Sequence, residues 1–153
     1  MKTSDYFRWL IPGVLAGGPH LDPYGEPGQL ARATADLALH GIGAVISVVE
    51  LPLALEGLEY LHAPTPDGEA PEDLEHLCMF IDAAKQRGVA TFVHCQAGQG
   101  RTGTVLAAYL IWSRGLRAWE AVDEVRRAYH TSAVESAAQL AALEVFARRH
   151  KLI

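Results

Sequence analysis

A chain of 153 residues, half apolar and a fifth charged, has the make-up of one soluble globular domain spanning residues 1–153. Its formal net charge of −5 speaks against nucleic acid or an anionic membrane surface as the main partner, and two cysteines, Cys78 and Cys95, make no disulfide framework. Met1–Asp5 shows no signal-peptide core and the longest apolar run, Val105–Trp112, is too short to span a bilayer, so a monomeric cytoplasmic protein is expected.

In chain order, two short strands are expected at Tyr6–Gly13 and Val14–Gly17 around the Pro12-Gly13 turn, with Phe7 and Trp9 as core or edge packing. A loop dense in Gly and Pro follows. Gln29–His40 has Leu30, Ala33, Leu37 and Ala38 spaced for one helical face, and Gly41 stops it. Ala44–Val49 is a β-branched run of the kind buried on both faces of a parallel sheet. The extended piece Leu58–Ala63 leads into the stiff loop Pro64–Pro71, which carries Asp67 near its centre. Glu72–Arg87 reads as a helix whose apolar stripe includes Leu74, Leu77, Cys78, Ile81 and Ala84, which favours a core thiol for Cys78 over the alternative of a redox partner for Cys95. Ala90–Val93 is a β-prone run, and helices are expected at Thr102–Arg114 (closed by Gly115), Ala118–Tyr129 and Ser136–His150. This alternation predicts an α/β domain with a central, mostly parallel sheet of about five strands flanked by helices.

The informative stretch is Val93–Gly103, a glycine-rich turn between the Ala90–Val93 strand and the following helix. Such a turn directs backbone N–H groups and the positive end of a helix dipole at one spot, which is an anion site. Cys95 and Arg101 stand at its edges, separated by five residues. A thiol acts as a nucleophile only as the thiolate, which N–H groups, a helix N-terminus and a guanidinium all stabilise. Arg can grip two phosphate oxygens with its planar fork, as Lys cannot. Gly98, Gly100 and Gly103 let the backbone curl without Cβ clashes.

Other readings of the stretch fare worse. Gly98-x-Gly100-x-x-Gly103 formally matches a dinucleotide fingerprint, but the acids about 20 residues on, Glu120, Asp123 and Glu124, lie in a helical pattern rather than at a strand end. A Walker loop needs Gly-Lys-Ser/Thr, and the chain reads Gly100-Arg101-Thr102. The histidines show no zinc spacing, and no metal or other cofactor is called for.

His94-Cys95-x5-Arg101-Thr102 resembles the signature of the cysteine-dependent protein tyrosine phosphatases, and the chain is most similar to their small, atypical dual-specificity branch. The resemblance implies the single-domain phosphatase fold and a phosphate-binding loop of His94, Gln96, Ala97, Gly98, Gln99, Gly100 and Thr102 around Cys95 and Arg101. It further implies that His94 orders the loop and that the Thr102 hydroxyl stabilises the leaving thiolate. Asp67 becomes the candidate general acid, with Glu69 and Glu135 as rivals, and a plain turn-forming role for Asp67 stands beside this. In Ser132–Gln139, Gln139 would orient the hydrolytic water and Glu135 would support the loop or Arg101. The expected reaction is metal-independent phosphomonoester hydrolysis through a phosphocysteine. Its substrate would be a phosphorylated protein or a small phosphomonoester, with inorganic phosphate or sulfate as loop ligands. The uncharged loop Gln96–Gly100 suits a singly phosphorylated residue. A rhodanese-like sulfurtransferase, an arsenate reductase and a non-catalytic phospho-ligand binder are the competing functions.

Overall fold

The computed structural model describes residues 7–150, so the expectations placed on Met1–Asp5 and on Tyr6 lie outside the described residues. The elements are β1 (Arg8–Ile11), β2 (Leu15–Gly18), α1 (Gln29–Leu39), β3 (Ile42–Ser47), β4 (Glu59–His62), α2 (Leu74–Gln86), β5 (Ala90–His94), α3 (Gly100–Arg114), α4 (Ala118–Ala128) and α5 (Ala137–Arg149). They make one five-stranded sheet in the order β1-β2-β5-β3-β4. The β2–β5, β5–β3 and β3–β4 pairs are parallel, while β1 returns antiparallel on β2 through the Pro12-Gly13 turn, giving a mixed sheet.

Two cores cover the two faces of this sheet. Ala16, Val45, Phe92 and Ala90 pack with Leu37 and Ala33 of α1 on one side. Leu15, Ile46 and Val93 point to the other, where α2, α3, α4 and α5 close over them. The strictly alternating facing of neighbouring residues is the period of two that a strand imposes. Each fully buried Leu or Ile in these layers contributes roughly 1.5–3 kcal/mol. Helix α3 is buried from Gly100 to Ile111, because the sheet lies beneath it and three helices surround it. That is why its sequence carries no polar stripe. Asp82 of α2 holds it from the side, accepting from Tyr109 Oη and Trp112 Nε1, both at 2.7 Å.

Most element ends shift by one or two residues from expectation, and two of these shifts are informative. The β-branched run to Val49 is paired only as far as Ser47; Val48 and Val49 leave the ladder but stay buried, and the Val48 N–H donates to the His94 carbonyl at 3.1 Å. The run encodes burial beneath the next loop as well as strand pairing. Helix α3 begins at Gly100, two residues before Thr102, with Gly103 N–H already donating to Gln99 O at 2.8 Å. Cys78 is fully buried on the inward face of α2, and both cysteines are free thiols. Burial, with Asp82 and Glu75 nearby, pushes the Cys78 thiol well above its ordinary range.

Candidate active site

Cys95 is the first residue beyond the carboxyl end of β5, between the ends of the parallel strands β2 and β3. Ligands in open α/β sheets bind at such ends. The segment from Cys95 to Gln99 is hung from its neighbours. His20 N–H donates to Gln96 O at 3.1 Å, and Tyr129 Oη donates to Gly98 O at 2.6 Å. Burial, with Cys95 as an additional negative neighbour, pushes the Tyr129 phenol up, so it remains a donor.

The three loop glycines serve different ends. Gly98 has φ +76°, and a Cβ there would lie 2.5 Å from the Gly18 carbonyl carbon. Gly100 and Gly103 are helical and do not curl the loop as the sequence suggested; they allow close approach. A Cβ on Gly100 would lie 2.1 Å from Glu135 Oε1, and one on Gly103 would lie 2.6 Å from the Ala133 Cβ. Gly98→Ala is therefore expected to destabilise the fold by more than about 2 kcal/mol, since backbone cannot yield and φ is wrong for Ala. Gly100→Ala meets only the end of a flexible side chain and gains helix propensity, so its stability should stay within about 1 kcal/mol of wild type while Glu135 is displaced. Calorimetric melting of the two variants checks the contrast.

Arg101 lies on the first turn of α3 and is only 5% exposed. One terminal nitrogen, Nη1, donates to Glu50 Oε1 at 2.6 Å and to Thr65 O at 2.9 Å. Its Nε is buried without a hydrogen-bond partner and faces Asp67 Oδ1 at 3.7 Å. The hydroxyl of fully buried Thr102 likewise has no partner. Unpaired buried donors are costly, and two of the three among the described residues lie side by side on the first turn of α3, the third being Thr91 Oγ1 within β5. Glu50, on the segment after β3, was not foreseen. It belongs to no motif, and only the convergence of loops following adjacent parallel strands could have pointed to it. The hydrogen bond from Arg101 holds its carboxyl below the usual carboxylate range.

Asp67 sits in a tight turn closed by Glu69 N–H donating to Pro66 O at 3.1 Å, with Gly68 at φ +82°. The turn needs nothing from the Asp67 carboxylate, which is 82% exposed and faces Arg101. Helix α5 pins this loop from behind. Ser136 Oγ donates to Gly68 O at 2.5 Å, and Gln139 Nε2 donates to Glu69 O at 3.3 Å. Gln139 is fully buried, and its Oε1 also accepts from Glu135 N–H at 2.7 Å and Ser136 N–H at 3.2 Å as half of a capping box. The amide oxygen is thus taken by the cap, while Nε2 keeps a second N–H beyond the one given to Glu69. Glu135, exposed and following Val134 at φ +60°, is the side chain that reaches the loop at Gly100. Glu69 is exposed at the end of the turn that carries Asp67.

His94 is fully buried under Cys95, between Ser47 and the Cys95 carbonyl. Its Nδ1 lies 3.1 Å from Cys95 O, an obligate acceptor, so Nδ1 carries the proton and Nε2 accepts from Ser47 Oγ. Burial is the main reason that its pKa is lowered to about 4. Below pH 6.5 the unfolded chain binds a proton that the folded ring does not bind until about pH 4. Stability from this group therefore falls as pH drops from 6.5 towards 4, by on the order of 3 kcal/mol in full. Urea unfolding of wild type and His94→Gln across that window should show a steeper pH slope for wild type.

A strand–turn–helix with a cysteine and a buried arginine is a site for an oxyanion, and comparison with known proteins shows which family uses it here. A family model described as "Polymorphic toxin system, DSP-PTPase phosphatase" matches residues 24–115. Dual specificity protein phosphatase 2 of Mus musculus is 39% identical over 125 residues, covering 76% of this chain and 39% of the relative. Dual specificity phosphatase 28 of Homo sapiens is 33% identical over 107 residues, 68% of this chain and 58% of the relative. The crystal structure of Tk-PTP in its active form superposes with a TM-score of 0.80 at 32% identity, covering 94% of this chain and 97% of that one. The chain belongs to the atypical dual-specificity branch of the cysteine-dependent protein tyrosine phosphatase superfamily. It spans about two fifths of the length of dual specificity protein phosphatase 2. Among the described residues no helix is long and apolar enough to cross a membrane.

Proposed function

We propose that residues 1–153 form one catalytic domain that hydrolyses phosphomonoesters through a phosphocysteine, without a metal, on phosphotyrosine and phosphoserine or phosphothreonine of proteins. The observation that carries this reading is the buried Arg101, with an unpartnered Nε, on the loop that Cys95 opens and with the Asp67 carboxylate facing it at 3.7 Å. The Cys95 thiolate attacks phosphorus in line, the bond to the leaving oxygen breaks, and Asp67 gives that oxygen its proton. Arg101 and the N–H groups of Gln96, Ala97, Gly98, Gln99 and Gly100 hold the equatorial oxygens in both steps. A water then attacks phosphorus with Asp67 as base, phosphate leaves, and the unpartnered Thr102 hydroxyl donates to the returning thiolate. His94 holds the loop backbone in place from below.

The second step needs a side chain to orient water. Gln139 positions the Asp67 loop through Glu69 O and keeps a second Nε2–H to orient that water, while Glu135, which reaches Gly100, supports the loop. The domain works as a cytoplasmic monomer in a reducing compartment, and inorganic phosphate or sulfate competes for the same loop. The test is release of nitrophenol from para-nitrophenyl phosphate with EDTA present, alongside thiosulfate–cyanide sulfurtransfer and arsenate reduction. Turnover of the phosphate ester alone is expected. Sulfurtransfer or arsenate reduction instead would assign the chain to those chemistries, and phosphate binding without any turnover would make it a binding module.

A further inference from the structure

The charges around the loop are distributed one-sidedly. The loop follows β5, and four segments rise around it: those following β2, β3 and β4, and the connection between α4 and α5, which Gly100 and Gly103 bring against the site. Residues 19–28, 48–58, 63–73, 95–99 and 129–136 together hold nine carboxylates and no Lys or Arg. That is half of the chain's 18 acidic residues and none of its 13 basic ones. The basic residues collect at the other end of the domain, where α2, α3 and α5 finish: Lys85 and Arg87, Arg114, and Arg148 and Arg149.

Three arginines do stand at the site end on helices, Arg32 on the first turn of α1 and Arg126 and Arg127 on α4, and each is engaged: Arg32 donates to Gln29 Oε1 at 3.3 Å. Arg126 donates to the carbonyls of Ala133 at 2.9 Å and Val134 at 2.8 Å, and Arg127 pairs with Asp123 at 3.3 Å and Glu124 at 3.0 Å. Arg8 is also occupied there, donating to Tyr129 O at 3.2 Å. At the centre, the nearly buried Arg101 still has an Nε with no hydrogen-bond partner, so the middle of the site calls for one anion. The surroundings call for the opposite. Glu50 and Asp67 already face Arg101, Glu135 touches the loop, and Glu69 stands exposed beside them.

A ligand with several phosphates would find one guanidinium with Glu50, Asp67 and Glu135 close by and further carboxylates on the surrounding segments, all repelling its additional charges. A single phosphate on a segment rich in Lys or Arg would fill the centre and neutralise the rim. Resting on the phosphatase reading above, we propose that this domain selects a singly phosphorylated residue flanked by Arg or Lys, and discriminates against acidic phosphopeptides and polyphosphorylated small molecules. Exposed rim pairs act mainly on capture and are screened by salt, so the selectivity lies in kcat/KM and is salt-dependent.

The experiment uses three phosphotyrosine peptides of equal length whose flanks are Arg, Ala or Glu, with the unphosphorylated Arg peptide and an inositol bisphosphate as further ligands. The kcat/KM of wild type is measured for each, and the affinity of Cys95→Ser for each, at about 20 mM and about 0.5 M salt. A ranking of Arg over Ala over Glu is expected, spanning about tenfold or more at low salt and shrinking to under about threefold at high salt. The exposed carboxylates Glu26, Glu56 and Glu72 belong to the rim and to no catalytic step. Their combined replacement by Lys should compress or reverse the ranking while leaving para-nitrophenyl phosphate turnover within about twofold. A flat ranking, a preference for the Glu peptide, or better use of the inositol bisphosphate than of the Arg peptide overturns the proposal. Should wild type not hydrolyse para-nitrophenyl phosphate, the phosphatase reading fails; the affinities of Cys95→Ser still decide the charge selectivity by the same ranking.

Discussion

Cys95→Ser is expected to lower the turnover of para-nitrophenyl phosphate by roughly 10⁴-fold or more, while the folded structure and phosphate binding survive. Loss of a nucleophile is among the largest single effects an enzyme shows. The argument rests on where the thiol sits. Cys95 is 3% exposed at the carboxyl end of β5, facing the first turn of α3 and an unpaired Thr102 hydroxyl. A serine hydroxyl there is a far weaker nucleophile, because no nearby base is placed to take its proton. The neutral side chain still leaves Arg101 and the loop N–H groups free to bind an oxyanion. Cys78 supplies the internal control. It is buried in α2 with a thiol that burial keeps protonated, so Cys78→Ser should leave kcat unchanged and cost about 1–3 kcal/mol by burying a hydroxyl in an apolar layer. Steady-state kinetics and urea unfolding of both variants should therefore separate, with one cysteine answering for rate and the other for stability. Equal loss of rate in both would place the nucleophile elsewhere.

Local patterns made much of this legible in the sequence. The run Ala90–Val93 before the glycines, the Gly115 cap at φ +66° and the apolar stripe of α2 all depend on neighbours in the chain, and each lies where the pattern put it. What a one-dimensional pattern misses is what depends on a partner far along the chain. Val48 and Val49 look like strand because β-branched burial beneath a loop and β-branched burial within a ladder use the same residues. Gly100 and Gly103 look like loop residues, yet their lack of a Cβ makes room for Glu135 and Ala133, at least 30 residues later. Glu50 had no signal because its meaning comes from Arg101, 51 residues away. Gln139 was legible as a residue of the site, but the capping box of α5 takes its amide oxygen, and that engagement shows only when Glu69 and Glu135 are brought to it. The antiparallel pairing of β1 in an otherwise parallel sheet follows from the short turn that joins it to β2, since two strands so closely linked can only run back on one another.

Asp67→Asn is the substitution that distinguishes the acids, and its effect should depend on the leaving group. General acid catalysis is worth about 10²–10⁴-fold where the departing oxygen is a poor leaving group. A phosphoserine peptide should lose activity across that range. Para-nitrophenyl phosphate, whose phenolate departs with little help, should lose much less. Three other carboxylates compete for the role, and their geometry separates them. Glu50 is held ionised by its hydrogen bond to Arg101, which makes it an anchor for the guanidinium rather than a proton donor. Glu69 gives its carbonyl, not its carboxylate, to the site through Gln139. Glu135 lies against Gly100 at the start of α3, reaching it from the α4–α5 connection. Asp67 alone among the four is poised on a turn that makes no use of its side chain, opposite an unpartnered Arg101 Nε. When phosphate occupies Arg101, that carboxyl loses the cation facing it and gains a leaving oxygen in its place. The alkaline fall of kcat/KM in wild type, which reports loss of the acid's proton, should then vanish in Asp67→Asn and persist in Glu69→Gln and Glu135→Gln. If the alkaline limb survives in Asp67→Asn and disappears in Glu135→Gln, the proton comes from the α4–α5 connection, and Asp67 is left with the single task of facing Arg101.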